Sequence, residues 1–353
     1  MKKYTASFLV FLILVAGMPV ARAQENTIAI ENALISILRQ VVALLLEQLQ
    51  ILQTQLAQEL QKRQEIASEQ PKKEELRPLS SQPIAFLSCF FTVKPGRESF
   101  ASAQRIARGT GTVVHPEGYI LTTRHLVDPG WAVAAYPNDA NFKDFKDLSD
   151  NYAFQSCEVS SPDTETLPTR EEIKFSNPKL PAAQARYNAV LHFLPPQRDV
   201  SAKEFNNLDF SILKINERIN CAPGTTSCDL PNAYPHIAAQ QEAPDVQTAV
   251  NVVSFGYPIE QIGGFGRSEL EGIVGTLTKY FGGDELFYNK PLSFEWTADN
   301  ARPGFSGSPI LFENRIIGVE LGASRDNPQT NYALGMPAIA EILNAHGLGN
   351  VLP

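Results

Sequence analysis

Positive charge, histidine and cysteine are all in short supply along this chain. Thirty Lys and Arg stand against 38 Asp and Glu, a formal net charge of -8 over 353 residues. A nucleic-acid binder usually carries a basic face, so this balance argues against nucleic acid as a partner. The four cysteines lack the close pairing of a zinc site, and His192, His236 and His346 have no ligand partner at useful spacing. No glycine-rich phosphate loop precedes a helix, and no internal repeat is visible. The pattern calls for neither a metal nor a cofactor.

What is present begins with an export signal. Lys2 and Lys3 precede a short apolar run over 8–17, and Ala21-Arg22-Ala23 places small residues where a signal peptidase inspects them. Cleavage is expected before Gln24, giving a signal peptide over 1–23; an uncleaved leader would instead act as a membrane tether. The destination is exported: periplasmic, cell-surface or secreted. Oxidising surroundings suit disulfides. Cys221 and Cys228 flank a short loop that a bridge could close, leaving Cys89 and Cys157, one of three connectivities. Unpaired buried thiols remain the alternative.

Residues 24–66 read as a long amphipathic helix, its regular part spanning 26–66. Leu34, Leu38, Val41, Leu45, Leu49, Leu52, Leu56 and Leu60 recur at spacings of four, three and four, an eleven-residue period. Such a helix either drives homo-oligomerisation as a coiled coil or packs on its own chain; Arg39 and Gln40 interrupt the run that a membrane helix would need. A polar linker over 67–83 follows, with mixed charge and prolines.

From residue 84 the texture changes to short apolar runs punctuated by Gly, Pro and Asn. Strands are expected over 84–93, 111–114, 119–122, 131–136, 189–193, 210–215, 249–255, 272–278, 292–296, 310–312 and 316–321. Many short strands without alternating helices predict an all-β sandwich or barrel. Only 338–346 has a helical pattern, closed by glycine.

Three segments carry chemistry. An apolar strand delivers His125 at its end; Asp209 opens the alternating strand Leu208-Asp209-Phe210-Ser211-Ile212; Gly304-Phe305-Ser306-Gly307 exposes a serine on a glycine-flanked turn. Each alone is ordinary. Together they supply a weak nucleophile, the base it needs and the carboxylate that orients the base. Histidine, aspartate, serine is the chain order of chymotrypsin-type enzymes, whereas nucleophile-elbow hydrolases run serine, acid, histidine. The elbow pattern also fails, since Ser308 stands where its last glycine would be.

These segments resemble bacterial trypsin-like serine peptidases, nearest in texture to the HtrA (Deg) protease domain. GTGTVVHPEGYILTTRHLV resembles that family's histidine segment, LDFSILKI its aspartate segment, and VVSFGYP, GIVGTLT and TADNARPGFSGSPI its second-barrel landmarks. The resemblance covers roughly 84–345. It implies a chymotrypsin-like double β-barrel over 84–353, with barrels at about 84–220 and 240–335, a preceding long helix and a short C-terminal helix. It further implies protein or peptide substrates, a triad of His125, Asp209 and Ser306, and an oxyanion hole from the N–H groups of Gly304 and Ser306. A specificity pocket near Asn300, Leu321, Gly322 and Ala323 also follows. Lacking a deep aspartate, that pocket is expected to take small or medium apolar side chains.

The departures are informative. Phe305 occupies the position where digestive relatives carry an aspartate that pairs with a freshly cut N-terminus. The interval between His125 and Asp209 holds a polar insertion, residues 144–172, expected to be a solvated loop decorating the first barrel, with a cover over the cleft as the alternative. With only a short tail after Tyr332, no PDZ module is expected to follow the barrel. The competing reading is a catalytically silent pseudoprotease, a binding or scaffolding module of the envelope.

Overall fold

The computed structural model describes residues 34–54, 79–97, 105–135, 145–162, 166–176, 178–180, 184–196, 209–219, 221, 228–241, 250–259, 269–281, 293–298, 303–323, 327 and 329–352. The chain divides into two compact units, 1–75 and 76–353.

In the first unit, α1 (Leu34–Thr54) is one continuous helix. Its leucines are about half exposed, and its length and mean hydropathy of 1.5 would suffice to cross a bilayer. The expected signal peptide, the helix beyond these bounds and residues 67–78 of the linker lie outside the described residues.

The second unit is built from twelve described strands in two closed, six-stranded antiparallel barrels. The first comprises β1 (Ile84–Val93), β2 (Arg105–His115), β3 (Tyr119–Thr122), β4 (Tyr152–Ser161), β5 (Gln184–Phe193) and β6 (Ser211–Arg218). The second comprises β7 (Val250–Gly256), β8 (Glu271–Phe281), β9 (Ser293–Ala298), β10 (Pro309–Phe312), β11 (Arg315–Ala323) and β12 (Thr330–Gly335). Strand order is 1-2-3-6-5-4 in one and 7-8-9-12-11-10 in the other, so the same winding occurs twice. No sequence repeat announces it.

Period-two alternation decides which side chains enter the barrels. Along β1, Ala85, Leu87, Cys89 and Phe91 fill the first barrel, while Ile84 and Phe86 face the seam between barrels. Along β9, Phe294, Trp296 and Ala298 fill the second. The disulfide Cys89–Cys157 joins directly opposed residues of β1 and β4 inside the first barrel. Cys221 pairs with Cys228, as expected.

A C-terminal helix, α5 (Met336–Ala345), follows β12 without a break and ends one residue before its expected stop. Its buried face, with Met336, Ile339 and Leu343, joins one apolar cluster with Phe86 and Phe210 of the first barrel and Val319 and Leu334 of the second.

Two expectations are corrected. Residues 131–136 do not form a strand: α2 (Pro129–Ala135) is helical, with Trp131 fully buried. A short apolar run fits either period, and Pro129 at the first helical position settles it. The insertion is not a solvated loop, for it contains α3 (Phe145–Asn151), barrel strand β4 and the first turn of α4 (Arg170–Ser176). Strand β4 turns Tyr152, Cys157 and Val159 inward and leaves polar residues between them half-exposed, which hid it among polar neighbours. Strand β12 was likewise not foreseen.

Candidate active site

Strand β3 ends at Thr122, and a single 3-10 turn, Arg124–Leu126, carries His125 off its tip. Strand β6 pairs antiparallel with β3, matching Thr122 with Ser211. This register brings Asp209, which immediately precedes β6, beside His125 from 84 positions away. Arg124 braces the turn: its guanidinium donates twice to Asp128 Oδ2, at 2.9 and 2.7 Å, and once to the Pro195 carbonyl at 2.8 Å.

Asp209 is fully buried and spends both carboxylate oxygens on one residue. Oδ2 lies 2.8 Å from His125 Nδ1, and Oδ1 accepts the His125 backbone N–H at 3.0 Å. A carboxylate can only accept, so Nδ1 must carry the hydrogen. That leaves Nε2 with its lone pair, 3.4 Å from the Thr123 hydroxyl. The pair is therefore an imidazole base with its tautomer and its angle both fixed.

Ser306 comes from the other barrel, on the turn between β9 and β10. Gly304 and Gly307 flank it with φ of 99° and 87°, a backbone region that favours glycine. A Cβ on Gly304 would run into the Tyr257 carbonyl, and one on Gly307 into the Thr110 carbonyl. Phe305 anchors the turn from below: it is 2% exposed and packs in the second barrel with Trp296 and Ile310. Apolar burial thus does here what an ion pair could not. Ser306 is half-buried, and its hydroxyl donates to the Leu321 carbonyl at 3.5 Å.

Thr110 of β2 ties the serine turn to the histidine barrel. Its N–H donates to the Ser306 carbonyl at 2.9 Å, and its hydroxyl donates to the Gly304 carbonyl at 2.8 Å while accepting Tyr257 N–H at 3.0 Å. Thr122 in turn donates to the Thr110 carbonyl at 2.7 Å. Gly109 sits between Leu126, the neighbour of His125, and the Ser306 carbonyl; a Cβ there would crowd both.

Of the expected pocket residues, Leu321 and Gly322 are half-buried and Ala323 exposed, at the end of β11. Asn300 lies outside the described residues. Sequence reading missed Glu320, which is 1% exposed and accepts the Trp296 indole N–H at 2.7 Å. Burial pushes its carboxyl well above the usual range, and the Trp296 indole and Gly322 backbone N–H groups oppose that shift. The signal was available, since a lone charge interrupts the apolar run of Ile316 to Leu321.

Comparison with known proteins adds an independent line. The family described as trypsin-like peptidase domain matches residues 109–319, which include all three chemical segments. No curated protein matches the chain. Among solved structures, the protease Rv3671c from M. tuberculosis, in its active form, is 17% identical, covering 75% of this chain and 81% of that one at a TM-score of 0.40. Deg5 is 14% identical over 76% and 91%, at 0.39. The HtrA-type protease AlgWS227A, solved with a decapeptide, is 14% identical over 78% and 68%, at 0.43.

Proposed function

The chain belongs to the trypsin-like peptidase family, and from that premise we propose that it is an exported serine endopeptidase acting through His125, Asp209 and Ser306. The observation that carries this reading is the doubly bonded His125–Asp209 pair, which fixes the hydrogen on Nδ1 and makes Nε2 the basic nitrogen. Ser306 Oγ attacks the scissile carbonyl carbon, and His125 Nε2 takes its proton. The tetrahedral oxyanion is held by the N–H groups of Gly304 and Ser306, donors that are worth most in a site with little water. Collapse breaks the C–N bond, and His125 returns the proton to the leaving amine. Water then repeats the attack on the acyl-enzyme, releasing the acid and restoring Ser306. Asp209 remains ionised throughout and stabilises the imidazolium.

The expected leader and the two disulfides support export. Substrates are proteins or peptides. Helix α1 serves as an oligomerisation element between copies, and an uncleaved leader would add a membrane tether. The pseudoprotease reading draws on one observation, the Ser306 hydroxyl directed at the Leu321 carbonyl.

One experiment separates the two readings. Casein or quenched-peptide hydrolysis by the protein is compared with that by Ser306→Ala, alongside labelling by a fluorophosphonate. Hydrolysis and labelling that both vanish in Ser306→Ala, with at least a roughly 1,000-fold rate loss, fit the peptidase. A folded protein that neither hydrolyses nor labels fits the silent module.

A further inference from the structure

His125 sits on a three-residue 3-10 turn, Arg124–Leu126, whose N-cap Thr123 makes no side-chain capping bond. So short a turn has little strength of its own. Its first residue, Arg124, is only 4% exposed, and the guanidinium reaches three separate parts of the chain. Nε and Nη2 both donate to Asp128 Oδ2, across the turn that carries His125, and Nη1 donates to the Pro195 carbonyl, just beyond the end of β5. The same group lies over the Trp131 indole of α2, 5.4 Å from the ring centroid. Asp128 gives its other oxygen to α2 as well, accepting the Trp131 backbone N–H at 3.1 Å. Helix α2 in turn lies against α3, where a Cβ on Gly130 would come within 3.3 Å of the Ser149 hydroxyl. Helix α3 is tied to the end of β1 by Lys94, whose Nζ donates to the Ser149 carbonyl at 2.7 Å. One buried cation thus joins the histidine turn to β5, to α2 and, through α3, to β1.

A buried ion pair is weak evidence of a stabilising role, since well-packed apolar residues of similar volume often serve as well or better. What this pair adds is direction, because the planar guanidinium presents its donors in a fixed fork. Resting on the reading of His125 as the general base, we infer that Arg124 is a positioning residue for it. Arg124 acts on the reaction only through its neighbour. It holds the turn where the His125 ring and backbone N–H can both meet Asp209, at 2.8 and 3.0 Å. Those two bonds engage the backbone and the ring of one residue at once, so both fail if the turn shifts. Asp128 neutralises the guanidinium, and the turn is fixed without an unbalanced cation one residue from the imidazolium that forms in the reaction.

The test separates holding the turn from holding the fold. Arg124→Met alone strands the Asp128 carboxylate and Asp128→Leu alone strands the cation, so each should lower the melting temperature. The double variant Arg124→Met/Asp128→Leu carries neither charge and should regain most of that loss. Catalysis should not follow. In the double variant, kcat on a quenched peptide should stay about 10- to 100-fold down, the cost of a misplacement of about 1 Å, with KM within about twofold. Arg124→Lys keeps the charge and loses the fork, and should rescue little. The second readout needs no turnover. The proton on His125 Nδ1, bonded to a buried carboxylate, gives a far-downfield proton NMR signal, identified by its loss in His125→Ala. That signal should be present in the full chain and in Ser306→Ala, and shifted or lost in the double variant. A double variant that recovers kcat along with its melting temperature, or that leaves the signal unmoved, overturns the proposal, as does a full chain without the signal. Should the double variant not fold, Arg124→Lys decides, and an unaltered kcat and signal there would overturn the proposal too. If the full chain cleaves nothing, the peptidase reading fails by itself, and the NMR comparison still decides whether Arg124 holds His125.

Discussion

Replacing Thr110 with valine removes a single oxygen from the seam between the barrels and keeps the side chain's shape. That oxygen is fully buried, donates to the Gly304 carbonyl at 2.8 Å and accepts Tyr257 N–H at 3.0 Å. Valine leaves both backbone groups dry and unpaired, at about 1–3 kcal/mol each. The burial of an extra methyl offsets about 1 kcal/mol, so the net loss should be about 1–5 kcal/mol. Thr112, two residues further along β2, supplies the control. It is 2% exposed, but its hydroxyl has no partner among the described residues. There the same substitution removes an unsatisfied group, and the outcome should lie between no change and a gain of about 1 kcal/mol. Equilibrium denaturation of the two variants reads the difference directly. Thr110→Val should also lower kcat roughly tenfold, a fraction of what a lost oxyanion donor costs, because it loosens the Gly304 peptide; Thr112→Val should not. Equal stability changes in the two variants, or an unchanged kcat in Thr110→Val, would refute the reasoning.

Two further outcomes follow from the same geometry. Asp209→Asn presents an amide to His125 Nδ1, favours the wrong tautomer and should cut kcat about 10,000-fold with little effect on KM; a loss under tenfold in a steady-state assay would mean that Asp209 does not govern the imidazole. Replacing Cys89 and Cys157 together by alanine opens a link between residues 68 positions apart, and the chain-entropy relation then predicts a loss of about 4 kcal/mol. Denaturation of the double variant checks this, and a loss below about 1 kcal/mol would show that the unfolded chain is not constrained by the bridge.

What could be read from the sequence was what is local. His125, Asp209 and Ser306 each sit in a short segment whose strand or turn is written in its own alternation and glycines, and β1, β3, β6 and β11 formed where their apolar periods indicated. Residues 131–136 deceived because six mostly apolar residues satisfy a strand as well as a helix. The pairing of Cys89 with Cys157 was one of three connectivities, and only the register of β1 against β4 decides among them. Thr110 was silent for another reason, and the charge of Glu320, visible in its apolar run, could not by itself be assigned a partner. A threonine in a strand, or a glutamate near a strand's end, becomes informative only when the residues that surround it arrive from elsewhere: Gly304 lies 194 positions from Thr110, and Trp296 reaches Glu320 from β9.

The position of α5 imposes an order of events. Synthesis delivers the chain from its N-terminal side, so the barrel bearing His125 and Asp209 and the barrel bearing Ser306 are complete before the segment that packs against both. Until Met336, Ile339 and Leu343 arrive, the shared cluster that includes Phe86, Phe210, Val319 and Leu334 lacks its cover. The proposed nucleophile and base, held on separate halves, are then not yet fastened together. An enzyme wound in this way would be inert along most of its synthesis, and armed only once its C-terminal helix has cleared the ribosome.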